Sequence, residues 1–251
     1  MQTVEQSCLV SRLSRFVDLD RGECEFIAQM ERDERSYAKG RAIAALGGRT
    51  DSISVLKTGW AVVRSEDQTG SGQILRVYIP GEVIGLAELG AREAHHRIVM
   101  QTDGVVCPFP RDRLSTLLTD FPRLAALLIS IGSLDQIALR HHATALGSMK
   151  ASARFKFFLL QLRARLEVAN VGLGNRIQVP FSQAELGQIL GLTPVYINKL
   201  LNNFRKNGEL EVERPYFRLL AREEWEQELG FRDPYLSMDT TWFPQPGASG
   251  G

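Results

Sequence analysis

Cysteine is scarce in this chain. Cys8, Cys24 and Cys107 are the whole set among 251 residues, an odd number with no C-x-x-C pair. That excludes a disulfide framework and a cysteine-rich zinc site. Histidine is equally sparse: His95, His96, His141 and His142 form two adjacent pairs. Neighbouring residues on a helix point apart, so neither pair reads as a metal-binding couple, and no metal site is expected. There is no run of about 18 apolar residues, so no transmembrane helix and no membrane partner are expected. The opening "MQTVEQSCLVSRLSRF" lacks an apolar core and a cleavage site, so it does not read as a signal peptide, and a cytoplasmic location is expected. The chain also lacks a P-loop, a G-x-S-x-G and an H-E-x-x-H, so nothing points to an enzyme.

What is present is a composition with real cores, 44% hydrophobic and 24% charged. The net charge of +1 indicates no partner by itself, but it is an average over opposed regions. Residues 150–210 carry nine Lys/Arg against three acids, while residues 221–240 carry six acids against two arginines. A basic block inside a neutral chain is the electrostatic footprint of a polyanion partner.

The texture changes along the chain. Residues 7–17 and 21–31 read as short amphipathic helices. From 35 to 110 come short β-rich runs punctuated by glycine, "SISVLKTG", "WAVVRSED", "QILRVYIP", "RIVMQT" and "VVCPFP", with a turn signal at 67–72. Together they predict a small antiparallel sandwich or barrel. Residues 121–146 then form a long helix. On it Leu124, Leu127, Ile131, Leu134, Ala138, His141 and Ala145 recur at alternating three- and four-residue steps, a heptad-like stripe suited to packing along a second helix. We take it as a dimer seam. A second helix follows the break at 147–150, and after the opening of the basic block comes "SQAELGQILGLTPVYINKLLNNFRKNG" (182–208).

That segment reads as a helix-turn-helix. Ser182 caps a first helix, with Glu185 completing a capping box. Gly187 leaves room for close approach, and Gly191 permits a positive φ in the turn. Thr193 caps a second helix that starts on Pro194 and buries Ile197, Leu200, Leu201 and Phe204. The outward face is then Val195, Tyr196, Asn198, Lys199, Asn202, Asn203 and Lys206. In a helix-turn-helix the first turns of the second helix enter the major groove. Lys199 suits guanine O6/N7, Asn198 suits adenine N6/N7, and Val195 suits a thymine methyl. Asn202, Asn203 and Lys206 lie further along, where phosphates run, and Ser182 and Gln183 offer phosphate donors at the first helix's start. Two short strands after residue 208 make a wing.

In this order of parts, residues 10–225 resemble the Crp/Fnr family of bacterial transcription regulators. "YAKGRAIAALGGRTDSISVLKTGWAVV" (37–63) is similar to the family's early β-roll, "YIPGEVIGLAEL" (78–89) to its Pro-Gly-x-x-x-Gly segment, and "QAELGQILGLTPVYINKLL" (183–201) is the most specific match. The resemblance implies an α+β protein. An N-terminal antiparallel, jelly-roll-like β-roll sensor (1–120) precedes a dimerisation helix (121–147), a winged helix-turn-helix domain (148–230) and a tail (231–251) expected to be flexible. It implies a homodimer on a palindromic double-stranded operator, acting on RNA polymerase. Its effector pocket maps onto Gly81, Glu82, Gly85, Leu86, Glu88, His95 and Arg97. Two departures bear on cofactors. Leu86 stands where cyclic-AMP-binding members carry Glu after the Gly, and Ala94–His95 align with their Arg–Ser pair, although a shift of the alignment offers Arg92 or Arg97. Without that cation cyclic AMP is not expected. Cys8 and Cys24 are too few and too far apart for an iron–sulfur cluster. One axial histidine suffices for haem, but the four histidines are read as surface or seam residues, so the effector is left open. The recognition helix departs too. Val195, Asn198 and Lys199 stand where many members carry Glu-x-x-Ser-Arg, as in a subset with a Thr-Pro-Val start. The alternative reading is a small-molecule sensor whose DNA binding is secondary.

Overall fold

The computed structural model describes residues 7–65, 72–170 and 173–245. The turn signal at 67–72 therefore lies almost wholly outside the described residues. Two short helices, α1 (Cys8–Leu13) and α2 (Arg21–Met30), open the chain. Ser7 caps α1 and an Asp20–Glu23 capping box starts α2. Eight strands follow: β1 (Arg35–Tyr37), β2 (Ala42–Ala44), β3 (Ser52–Thr58), β4 (Ala61–Arg64), β5 (Ile74–Tyr78), β6 (Val83–Ile84), β7 (Arg97–Met100) and β8 (Gly104–Pro110). They form two antiparallel sheets, ordered β1-β8-β3-β6 and β2-β7-β4-β5.

The alternation along each strand decides what each sheet faces. Leu56, Ala61, Tyr78, Ile98, Met100 and Val106 meet in a core between the sheets. On β3 the intervening Ile53 and Val55 turn outward and pack with Leu9, Leu13, Phe26 and Ile27 of the N-terminal helices. On the other sheet the outward side chains Trp60, Val62, Ile74, Val77 and Val99 are buried as well, against the C-terminal half of the chain. Both sheets are thus covered on both faces, and Ile53, Ser54, Val55 and Leu56 of β3 are buried in succession.

After α3 (Leu114–Asp120) comes α4 (Pro122–Ser148), 27 residues long, then a two-residue break at Met149–Lys150 in extended conformation, then α5 (Ala151–Ala169). By length and composition alone α4 is apolar enough to cross a membrane. Its Leu124–Leu128 segment is buried against the N-terminal helices and sheet. The C-terminal domain comprises β9 (Arg176–Gln178), α6 (Gln183–Leu190), α7 (Pro194–Lys206), β10 (Leu210–Glu213), β11 (Tyr216–Leu219) and α8 (Arg222–Leu229), with its strands in the order β10-β11-β9.

The proposed seam is corrected in part. Leu124, Leu127 and Leu134 are buried in the protomer's own core, and Ile131 packs partly buried beside them. Ala138 is half-buried, and of the stripe only His141 is exposed. The apolar residues that α4 leaves outward are Ile129, Ile137 and Leu139. The tail is corrected too: over residues 231–245 it is packed, with Tyr235 and Phe243 buried.

Candidate nucleic-acid interface and effector cavity

Helix α6 ends at Gly191, whose φ of 62° and ψ of 42° give the left-handed turn read from the sequence. Gly187 is needed for a closer reason than helix crossing. A Cβ there would stand 2.4 Å from the carbonyl oxygen of Leu192, so it is the turn itself that approaches. The Leu192 N–H closes that turn on the Gly187 carbonyl at 3.0 Å. Helix α7 then starts on Thr193, whose hydroxyl accepts from the Tyr196 N–H at 3.2 Å, with Pro194 in the first turn. Ile197, Leu200, Leu201 and Phe204 are buried against α5 and α6.

That packing leaves Val195, Tyr196, Asn198, Lys199, Asn202, Asn203 and Lys206 exposed on one side of α7. Val195 is 80% exposed, an apolar side chain in the first turn that nothing in the protomer covers. Asn198 is oriented: its Oδ1 accepts from Gln183 Nε2 at 3.1 Å, which leaves its amide N–H groups directed elsewhere. Gln183 thus positions a neighbour as well as standing at the helix start. The Ser182 N–H is already taken, because it donates to Glu185 at 2.8 Å, while the Ser182 hydroxyl accepts from the Glu185 N–H. Ser182 keeps only its hydroxyl hydrogen for an outside acceptor.

The sequence offered no signal for the contacts that seat α6 on the β-roll. Arg64 donates to Gln188 at 2.8 Å, and buried Gln101 donates to Glu185 at 2.9 Å and to the Pro180 carbonyl. Trp60 reaches Gln178 at 3.3 Å. Burial alone raises the Glu185 carboxyl, but hydrogen bonds from Ser182 and Gln101 outweigh it and hold the group below its ordinary value.

The residues mapped to an effector pocket do not come together. A cavity of about 610 Å³ lies between the second sheet, the turn after β6, and helices α3 to α5. Leu86 and Glu88 line it, joined by Val63, Ile74, Leu128 and Ile129. His95 and Arg97 are exposed and do not line it; His96 does, its Nδ1 3.9 Å from Glu88. Gly85, with a φ of 97°, shapes the turn without lining the cavity. Gly81 and Glu82 face away, toward α1. The connection from β5 to β6 passes from one sheet to the other, and there Glu82 meets three arginines.

Glu82 accepts from Arg12 at 3.2 Å and from Arg165 at 3.0 and 2.5 Å, while Arg76 stands 3.7 Å away and pairs with Asp135 at 2.8 Å. Burial alone raises the Glu82 carboxyl, but Arg165, Arg12 and Arg76 overcome it and lower the group to about 2. Three arginines and two acids are thereby spent on each other. Arg76 and Arg165 are the arginines on the cavity wall, and both belong to this cluster. Arg12, lying between Leu9 and Leu13 in an apolar pattern, was the one hint of it in the sequence. Ala94 is buried and donates its N–H to the Gly48 carbonyl, and His95 beside it is exposed and off the cavity wall, so neither offers the cavity a side-chain donor in place of the Arg–Ser pair. Among the described residues no group of three or more His, Cys, Asp or Glu is placed to hold a metal ion.

The Cyclic nucleotide-binding domain family matches residues 34–121, and the Crp-like helix-turn-helix domain family matches residues 153–227. The chain is 25% identical over 215 residues to the transcriptional activator protein FnrA of Stutzerimonas stutzeri, covering 86% of this chain and 88% of that protein. It is 24% identical over 220 residues to the fumarate and nitrate reduction regulatory protein of Escherichia coli, covering 84% of each. Among solved structures, FixK2 from Bradyrhizobium japonicum shares the fold with a TM-score of 0.69 at 22% identity, over 77% of this chain and 95% of that one. No catalytic family is indicated. Both domains, in this order and over most of the length of these relatives, place the chain in the Crp/Fnr family of transcription regulators.

Proposed function

We propose that the chain is a dimeric, sequence-specific DNA-binding regulator of the cytoplasm, reading a palindromic operator and acting on RNA polymerase. The observation that carries this is the outward row of α7, from uncovered Val195 through oriented Asn198 to Lys199, on a helix whose opposite side is fully buried. Asn198, Lys199 and Val195 read base edges; Asn202, Asn203 and Lys206 hold phosphates. With Pro194 and Val195 at its start, the helix reads half-sites distinct from those of members with Glu-x-x-Ser-Arg. Two such helices must lie about 34 Å apart to enter successive major grooves. The test is a gel-shift titration on the palindrome recovered by genome-wide footprinting. Dimer binding with a steep loss of affinity in salt is the expected result. Salt-independent binding, or footprints without symmetry, overturns it.

The cavity supports a second reading, a sensor whose DNA binding is secondary. Its walls are largely apolar and its two arginines are engaged by Glu82 and Asp135, so the effector it suits is an uncharged, largely apolar molecule rather than a cyclic phosphate. Native mass spectrometry of the purified protein tests for such a retained ligand, and calorimetry with cyclic AMP is expected to give no heat of binding.

A further inference from the structure

We infer that residues 231–243 form a strap that ties the DNA-binding domain to the sensor domain and restrains the break between α4 and α5. The Crp-like match ends at residue 227, so the strap lies beyond it. It starts where Gly230, with a φ of 58°, ends α8, and the Phe231 N–H returns to the Glu226 carbonyl at 2.9 Å. Phe231 then sets its edge on Phe157 of α5, with ring centroids 5.6 Å apart. Four residues on, Tyr235 is buried between Leu134 of α4 and Ala164 and Val168 of α5. Met238 packs beside it and also reaches the sensor's helical core. Phe243 is 5% exposed within that core, alongside Leu9, Leu13 and Phe26. The anchors thus step from the DNA-binding domain, across both long helices, onto α1.

The covalent route between the domains is Met149–Lys150, two residues in extended conformation with no helical hydrogen-bond ladder across them. A swing about that break must pull the strap off one end or the other. Tyr235 also lines the small gap shared with Arg12, Arg76, Glu82 and Asp135 of the charge cluster. Ordering this segment costs conformational entropy, and the burial of Tyr235 and Phe243, with Phe231 and Met238 partly buried, offsets it. Such a tether makes the relative setting of the two domains part of the folded state, which is what a regulator of operator geometry can exploit.

The test uses the full chain with Phe243→Ala, Tyr235→Ala and, as a control at an 84% exposed strap position, Leu236→Ala. Hydrogen exchange is read at α1 and at the end of α8, and fluorescence anisotropy compares the footprinted palindrome with the same duplex carrying one scrambled half-site. The strap predicts that Phe243→Ala, placed in the sensor core, speeds exchange at the distant α8 end. It also predicts a loss of about tenfold in preference for the palindrome over the single half-site, with Tyr235→Ala doing the same and Leu236→Ala neither. Exchange changes confined to the neighbours of Phe243, with an unchanged preference, overturn it. The affinity arm rests on the DNA-binding reading; if the unaltered protein binds neither duplex that reading fails, while the exchange arm still decides the strap. Should Phe243→Ala not fold, Phe243→Leu with Tyr235→Ala keeps both readouts.

Discussion

Helices α7 and α4 were both read from the spacing of their apolar residues, and the reading fared differently on the two. On α7 the buried positions Ile197, Leu200, Leu201 and Phe204 are apolar and nearly everything else is polar, so the pattern has one solution. On α4 apolar residues surround the helix. Leu124, Leu127, Ile131 and Leu134 keep a seam-like rhythm, yet Ile129, Gly132 and Leu139 lie along another side, interrupted by Gln136. The first set packs into its own protomer, and Ile129 and Leu139 are left 58% and 49% exposed. Periodicity states that a helix has a buried stripe; it does not state whose core that stripe meets.

The largest test of this contrast is Leu127→Ala. Fully buried in the protomer, its truncation is expected to lower unfolding stability by about 2–5 kcal/mol in a denaturant titration. A change in dimerisation with no loss of protomer stability would restore it to the seam. Ile129→Glu is the converse: sedimentation equilibrium should show the dimer dissociation constant rising by at least about tenfold. Protomer stability should shift by no more than about 0.5 kcal/mol. On α7, Lys199→Ala is expected to cost about 1–3 kcal/mol of discrimination at one base position per half-site. A uniform loss over all sequences would make Lys199 a phosphate contact.

The smallest effect concerns the seat of α6. The Glu185 carboxyl is held below its ordinary 4.5 in the folded chain, so it contributes stability when pH is above that value and loses it as pH falls through the depressed one. Melting temperatures of the Glu185→Gln variant should therefore trail the unaltered protein near pH 7 and converge with it as pH falls below the depressed carboxyl value. A constant gap across that range would show that the charge itself contributes nothing.

The DNA-reading face was legible because each of its determinants is local: Ser182 with Glu185, Thr193 with Pro194, Gly191 with its turn. The effector side was not. Glu82 has the motif position of a ligand-binding residue, but Arg12, Arg76 and Arg165 reach it from 70, 6 and 83 residues away in sequence. The composition of the tail suggested flexibility, and Tyr235 and Phe243 found cores that no local pattern announces.

What the sequence determined by itself is therefore most of the elements, α3 (Leu114–Asp120) excepted, their order, and the polar face of the one helix with a single apolar side. Caps, turn glycines and amphipathic spacing act within a few residues, so their energies are decided before the chain folds back on itself. Only the tertiary structure decided which side of α4 is inward, whether Glu82 meets a ligand or three arginines, and where the tail goes. Each of those turns on desolvation against partners distant in the chain, and that free energy exists only once the partners have been brought together.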